Sequence, residues 1–236
     1  MLTRHIALVP HTTEVDIDQL HQVSSALSIQ VTRDFSPVWG VSASVDPFTS
    51  DGQVPAGYWI VGIETSDSPG DAGFHTSANN QPAASVRFAD NWPMRASHEI
   101  LEMLADPFGN HLQAGPALAD PNATVQYLVE VCDPCEQSTY PINGVAVADF
   151  YTPHYFDAMV SPGTRYSFAG SLRQPLEVLP GGYLSWLDPA GNQWFQRQFF
   201  GDQAQTVPVD AAAFDGRSLR ACIDRATRSR RRGAGL

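Results

Sequence analysis

The chain has no lysine, few cysteines and no long apolar run. All 14 of its basic side chains are arginine, and only three of its 236 residues are cysteine. Three cysteines cannot form the even, dense set of a disulfide-stabilised fold. No uninterrupted apolar run approaches the ~18 residues of a transmembrane helix, and the N-terminus leads into no signal-peptide core. We therefore expect no membrane association and a cytoplasmic location by default, with leaderless export as the alternative.

Charge is distributed unevenly. Residues 1–216 carry 7 arginines and 24 acidic residues, whereas residues 217–236 carry 7 arginines and one aspartate. Because phosphate contacts supply most of the affinity for nucleic acid, the acidic body argues against a nucleic-acid-binding surface. A terminal run of arginine and glycine is typical of a disordered tail, with polyanion binding as the alternative. We therefore predict one domain over residues 1–216 and a disordered tail over residues 217–236.

Hydrophobic periodicity predicts the main elements. Strands are predicted over residues 4–10, 39–45, 58–64, 84–89, 182–186 and 193–200, the last two as a hairpin. Residues 124–134 and 144–153 are each predicted to form a strand that runs into a turn. A helix is predicted over residues 16–35, and a second one between a cap at Asp90 or Asn91 and the Asp106-Pro107 stop. Residues 65–82, rich in Ser, Asp, Gly, Asn and Pro, are predicted to form a long loop. This order predicts an α+β fold, with the second helix in an N-terminal part (1–107) and a β-rich C-terminal part (108–216).

The second helix carries an H-E-x-x-E motif, formed by His98, Glu99 and Glu102. Residues four apart share one helix face, so His98 and Glu102 can bind one cation. Glu99 lies about 100° around the helix from His98, where the general base of an H-E-x-x-H metalloprotease lies. The alternative is an amphipathic helix whose charged face is solvated.

A catalytic zinc site needs three protein ligands and an open position for water. Glu130 and Asp133 follow the helix in the chain, at and just beyond a predicted strand, and either could supply the third ligand. We prefer Glu130 because it lies on the predicted strand and has the longer side chain, in which case Asp133 would orient a ligand. Two carboxylates and one imidazole neutralise a divalent cation, which makes Mn²⁺ or Ca²⁺ an alternative to Zn²⁺.

Three further side chains are candidates for a catalytic role. His75, Tyr151 and His154 could each stabilise an oxyanion or complete the metal shell, although an isolated His or Tyr more often has a structural hydrogen-bonding role. Cys132 and Cys135 form a C-x-x-C pair, but without a second pair they cannot close a Cys₄ zinc site. Two small thiols in a turn are therefore the favoured interpretation of that pair.

The chain resembles a largely uncharacterised bacterial and phage family of zincin-like proteins. The matching segments are Gly73-Phe-His75, S-H-E-x-x-E-M-L-x-D-P over residues 97–107, E-V-C-D over residues 130–133, I-N-G-V-x-V-x-D-F-Y-x-P over residues 142–153, and Tyr155-Phe156. Plant exordium-like proteins are similar more distantly, through a related H-E-x-x-E segment and a later E-x-x-D. The resemblance implies a zincin-like fold with a mixed sheet, an active-site helix and a metal site of peptidase type.

Zincins share the order strand, helix, three strands, helix, which the N-terminal part of this chain is predicted to follow. In them the edge strand before the active helix pairs with an extended peptide substrate, and residues 85–89 are the corresponding candidate here. We therefore expect a zinc-dependent peptidase or related hydrolase that uses Glu99 as general base on a peptide or protein substrate. The alternatives are a non-catalytic zincin-like module, and a carbohydrate-binding protein that uses Tyr183, Trp186 and Trp194.

Overall fold

The computed structural model describes residues 3–68, 73–78, 81–210, 219, 220, 223 and 227, with the backbone alone at residues 77 and 78. The predicted disordered tail, residues 217–236, lies outside the described residues except at the last four of these positions. Among the helices that are described, none is both long enough and apolar enough to cross a membrane.

The described residues form three β-sheets and few helices, so the fold is α+β. The strands are β1 (Thr3–Pro10), β2 (Ser42–Pro47), β3 (Trp59–Glu64), β4 (Gly73–Ala78), β5 (Gln81–Arg87), β6 (Leu112–Pro116), β7 (Thr124–Leu128), β8 (Thr139–Ile142), β9 (Val145–Ala148), β10 (Tyr183–Asp188), β11 (Gln193–Gln198) and β12 (Gln205–Val209). The helices are α1 (Ile17–Ile29), α2 (Ser36–Trp39) and α3 (Trp92–Ala105), with a π-helical segment at Gln30–Phe35 and 3₁₀ turns at Asp51–Gln53, Asp133–Cys135 and Pro153–Phe156.

The chain divides into two compact units. The first consists of Met1–Pro107 and Thr139–Ala148, and the second of Phe108–Ser138 and Asp149–Leu236. The longer segment of the first unit ends at Pro107, where the predicted N-terminal part also ends. The first unit contains the β8–β9 hairpin in addition.

The first unit is built on a five-stranded sheet in the order β2-β1-β3-β5-β4. Four of these strands are parallel, and β4 alone is antiparallel, paired with β5 at the edge of the sheet. The prediction of a loop throughout residues 65–82 is therefore wrong at Gly73–Ala78 and at residues 81 and 82, where β5 begins. The strand was not predicted because polar residues flank the short run of Phe74, His75 and Thr76. The aromatic and β-branched side chains of this run suit a strand. The prediction that residues 85–89 form the edge strand is also wrong, because β5 lies between β3 and β4.

Helix α1 follows the predicted apolar stripe. The Asp16 carboxylate accepts hydrogen bonds from the backbone N–H groups of Asp18 and Gln19, which caps the helix. Leu20 and Leu27 are buried on the face that packs against β2. The helical segment then continues through Gln30–Phe35 as a π-helix, which periodicity alone does not distinguish from an α-helix.

The second unit contains an all-antiparallel sheet in the order β12-β11-β10-β7-β6. The predicted hairpin is present as β10 and β11, with Asp188 opposite Gln193. Trp186 and Trp194 are each only 6% exposed, so they pack in the interior and do not form an open platform for sugars.

Described residues of the predicted tail belong to the folded second unit. Ile223 is buried and packs in one cluster with Leu128 and Trp194. Gln196 donates a 2.8 Å hydrogen bond from Nε2 to the hydroxyl of Thr227. At these positions the chain is folded and buried, which differs from the disorder expected over residues 217–236. The buried positions 220, 223 and 227 follow helical spacing, but the arginine-rich composition around them favoured the prediction of disorder.

His11 connects three segments of the first unit. Its Nδ1 lies 2.9 Å from Glu64 Oε1 and its Nε2 lies 3.0 Å from Asp51 Oδ1. Burial by itself would lower the pKa of His11, but the hydrogen bonds to Asp51 and Glu64 outweigh burial and raise its pKa above 6.5. Gly62 provides the space, since a Cβ there would lie 2.7 Å from the imidazole.

This arrangement predicts a pH-dependent contribution to stability. Because the pKa of His11 is raised in the folded state, its stabilising effect is complete below pH 6.5 and is lost as the pH rises through the folded-state pKa. We expect His11→Gln to lower the free energy of unfolding at about pH 5.5 by no more than about 1 kcal/mol, since the pairs are partly exposed, and by less at about pH 8.5. Urea unfolding measures both values. His21→Gln, at an exposed position, is the control, and an equal loss at both pH values for His11→Gln would contradict the assignment.

Candidate metal centre

The charged face of α3 is buried. The helix starts after Asn91, one of the two predicted caps, and ends at Ala105. His98, Glu99 and Glu102 are 7%, 5% and 0% exposed. The alternative of a solvated charged face is therefore wrong for these three side chains.

Two buried carboxylates one turn apart need positive charge close by. An ionised carboxylate that is withdrawn from water without a partner costs several kcal/mol. A protonated His98 would meet part of this need, since its Nε2 lies 3.2 Å from Glu102 Oε2, as the i,i+4 spacing predicts. The remaining positive charge or hydrogen-bond donors must come from neighbouring elements.

Strand β4 supplies a second imidazole. His75 is buried, and its Nδ1 lies 3.7 Å from Glu99 Oε2 and 3.9 Å from Glu102 Oε2. One ligand atom each from His75, Glu99 and Glu102 can be chosen so that all three lie within 4.8 Å of one another. The structure thus brings the predicted catalytic residue His75 to the H-E-x-x-E helix, although the strand that carries it was not predicted.

Gly73 leaves room for the Glu99 carboxylate. Strand residues two apart point to the same side of a sheet, so Gly73 and His75 share one side of β4. A Cβ on Gly73 would lie 2.7 Å from Glu99 Oε1, closer than such atoms approach. Glycine at residue 73 is therefore a steric requirement of the observed Glu99 position.

Arg95 adds positive charge near Glu99. Burial, together with the like charge of Arg87, lowers the pKa of Arg95, while Glu99 acts in the opposite direction. Arg95 Nε also donates a 3.0 Å hydrogen bond to Asn91 Oδ1 at the start of α3. The Glu99 side of the helix therefore has a cationic neighbour.

A buried hydrogen-bond network holds α3 against β9. The Ser97 hydroxyl donates to Gln30 Oε1 at 2.7 Å and accepts from the backbone N–H of Ala148 at 2.9 Å. Gln30 Nε2 donates to the backbone carbonyl of Ala148 at 2.9 Å. Ser97 immediately precedes His98, so this network constrains the rotation of the helix about its axis.

Glu130 and Asp133 belong to the second unit. Both are buried, but β7 ends at Leu128, so the reason given for preferring Glu130, its place on a strand, is wrong. The Glu130 carboxylate forms an ion pair with the buried guanidinium of Arg220. Asp133 begins a 3₁₀ turn. Sequence reasoning missed Arg220 because it falls in the predicted tail.

Tyr151 and His154 occupy different environments in the second unit. The Tyr151 ring is fully buried and stacks on Tyr155 at a centroid distance of 4.4 Å. Its hydroxyl accepts a 3.1 Å hydrogen bond from the backbone N–H of Glu130. His154 is exposed and its Nδ1 lies 3.0 Å from Asp157 Oδ2. Both side chains therefore have local structural contacts.

Within the first unit, His75, Glu99 and Glu102 bring one imidazole nitrogen and two carboxylate oxygens together in a buried group, and His98 contacts Glu102. These donor types suit Zn²⁺ and, among the harder cations, Mn²⁺. The donor set of His75, His98, Glu99 and Glu102 is thus chemically suited to a divalent cation. Comparison of the chain with protein-family models, with curated proteins and with solved structures finds no match.

Proposed function

We propose that this protein is a zincin-like, zinc-dependent hydrolase that cleaves peptide bonds, with Mn²⁺ or Ca²⁺ as alternative ions. The observation that carries the proposal is the burial of the H-E-x-x-E face of α3, with His98 Nε2 3.2 Å from Glu102 Oε2. A helix that needed these residues only for solubility would expose them. His98 and Glu102 are the proposed ligands on this helix.

The chemistry follows from the roles of the side chains around such an ion. When bound, a divalent cation acidifies a water molecule and polarises a substrate carbonyl. Glu99 would accept a proton from the water whose oxygen adds to the carbonyl carbon, and would deliver it to the amide nitrogen as the carbon–nitrogen bond breaks. Burial of Glu99 keeps bulk water from competing for that proton, and Gly73 leaves space for its carboxylate.

Strand β4 is the proposed binding edge for an extended peptide. It pairs with β5 on one side and is the last strand of its sheet. An edge strand of this kind can add a peptide through backbone hydrogen bonds. Because His75 lies on β4 and faces α3, a peptide added there would run beside the buried cluster.

A non-catalytic module is the second candidate. The contacts of His75 and His98 with the carboxylates favour it, because protonated imidazoles can balance buried carboxylates without catalysis. Such a module would keep the fold, or the fold and an ion, to present its loops to a partner.

The role of Glu99 separates the two functions. Glu99→Gln keeps the size of the side chain, so we expect folding and zinc content to change little and hydrolysis to fall by about 10²–10⁴-fold. Cleavage of a peptide library at matched zinc content measures the effect, with Glu14→Gln, an exposed glutamate of the same unit, as control. Equal cleavage by wild type and Glu99→Gln would remove Glu99 as the base, and no cleavage by zinc-loaded wild type favours the non-catalytic module.

The Gly73 position provides a steric test of the same role. Gly73→Ala adds a methyl group where Glu99 Oε1 lies, so the carboxylate must move. We expect kcat to fall at least about tenfold while zinc affinity stays within about twofold, because the proposed ligands are not displaced. Gly52→Ala is the matched control, since a Cβ there has open space. Unchanged kcat in Gly73→Ala would remove Glu99 from the proposed mechanism.

The third ligand expected from the sequence, Glu130 with Asp133 as the alternative, stays a prediction. We expect Glu130→Gln to weaken zinc binding by at least about 10–100-fold. Glu130→Gln leaves the Arg220 guanidinium buried without its partner, so the double variant Glu130→Gln/Arg220→Met controls for instability. Elemental analysis of protein never exposed to chelator measures the zinc content. If Asp133→Asn loses zinc and Glu130→Gln does not, Asp133 is the third ligand and Glu130 is not.

A further inference from the structure

The second unit contains an apolar pocket with a volume of about 280 Å³. Three parts of the chain line it, at residues 116–118 with 121, at 157–160 and at 174–176. An apolar cavity of ~150 Å³ is enough for one benzene ring, so this pocket has room for more than one aliphatic side chain. Its larger apolar lining residues, other than those of the middle segment, are Pro116, Leu118, Pro121, Pro175 and Leu176.

Hydrogen bonds hold two sides of this pocket in place. The carbonyl of Pro116 accepts a 2.6 Å hydrogen bond from the Tyr127 hydroxyl. The backbone N–H of Leu176 donates a 3.0 Å hydrogen bond to the carbonyl of Tyr155, whose hydroxyl donates to the carbonyl of Glu177 at 2.8 Å. Leu176 has a φ of 56°, a conformation that residues with a side chain rarely adopt. A pocket fixed in this way needs little ordering when it is filled, which favours binding.

Two exposed apolar side chains lie beside the same pocket. Met159 is 77% exposed and Val160 is 59% exposed, although both also contribute to the lining. Among the described residues only two other large apolar side chains are exposed, Ile17 and Phe108, and neither lines the pocket. Exposed apolar side chains gathered beside an apolar pocket mark a surface of association.

The edge of the pocket also carries charge of both signs. Asp157 lines the pocket and is half-buried, and its Oδ2 lies 3.0 Å from His154 Nδ1. Arg173 is exposed and immediately precedes Gln174, which also lines the pocket. This surface thus combines an apolar projection with a pocket that can receive it, and an acidic side chain with a basic one. Such a surface is complementary to itself, as the interface of a two-fold dimer must be.

We propose that this protein self-associates through this surface as a two-fold dimer, in which Met159 and Val160 of each copy enter the pocket of the other. In a two-fold interface, each contact made by one copy is made in reverse by the second. Segment 157–160 of each copy then lies against segment 174–176 of the other, which brings Asp157 of each copy to Arg173 of the other. The occupant is a second copy because the chain itself supplies the apolar group and both charges that the pocket and its edge would pair with.

The size of the surface fits a weak dimer. The residues that line the pocket, even together with Arg173, are fewer than the about 20–30 residues that each partner contributes to an interface of standard size. We therefore expect a reversible dimer with a dissociation constant of about 1–100 µM. The proposal goes beyond the proposed function and does not depend on it, since no residue of the α3 cluster takes part.

Sedimentation equilibrium of the full chain, over concentrations that span these values, measures the association. We expect Met159→Glu to weaken it by at least about tenfold, because the new carboxylate would be buried in an apolar pocket. Phe108→Glu is the matched control, since Phe108 is an exposed apolar residue of the same unit that does not line the pocket, and it should associate as wild type. Thermal unfolding of each variant reports whether folding is preserved.

Charge reversal tests how the two copies are arranged. Asp157→Arg and Arg173→Asp each place like charges face to face at two positions of the dimer, so we expect each to weaken association by at least about fivefold at low salt. The double variant Asp157→Arg/Arg173→Asp restores opposite charges and should associate as wild type. Residues that act only in the folding of one chain would not give this rescue.

Each result supports or overturns the dimer. A wild-type chain that stays monomeric throughout the range overturns it. A dimer that folded Met159→Glu leaves unchanged places the contact elsewhere and also overturns it, as does failure of the double charge variant to recover. Binding of a peptide that contains methionine and arginine to this pocket in a monomeric chain would make a different protein the occupant.

Discussion

The carboxylate of Glu102 has no exposed surface, and imidazoles from α3 and from β4 lie close to it. A buried carboxylate is tolerated only when opposite charge or hydrogen-bond donors come close. His98 meets it from one turn away on the same helix, and His75 meets it from the edge strand. If a cation completes this arrangement, its binding contributes directly to folding, because the unfolded chain has no such site. In that case, stability and the proposed chemistry depend on the same interaction.

The rotation of α3 is set by residues far away in the sequence. Gln30 lies at the start of the π-helical segment and reaches both Ser97 on α3 and the backbone of β9. The same segment places Asp34 where it accepts a 3.0 Å hydrogen bond from Tyr140 on β8. A π-helical turn adds a residue to the helical period, which changes the side chains that face inward. Through these buried bonds, the π-helical segment and the β8–β9 hairpin help orient His98 and Glu99.

The second unit has its own buried polar groups, and two of them have partners late in the chain. Arg220 neutralises Glu130, and Thr227 bonds with Gln196. An ion pair of this kind is costly to break on one side, because the remaining charge stays buried. The described C-terminal residues are thus part of the core of this unit, despite the basic composition of their surroundings.

The sequence alone determined which residues share a face of each element, because strand and helix periods are local properties. His98 and Glu102 could be paired from their spacing, and the β10–β11 hairpin could be located from its apolar runs around a turn. The depth of burial, the edge position of β4, the place of His75 beside Glu99 and the Arg220 partner of Glu130 could not. These features depend on sheet order and long-range packing, which are set by the combined contacts of the whole unit and leave no periodic signal. Tertiary structure therefore decided which charged side chains meet away from water.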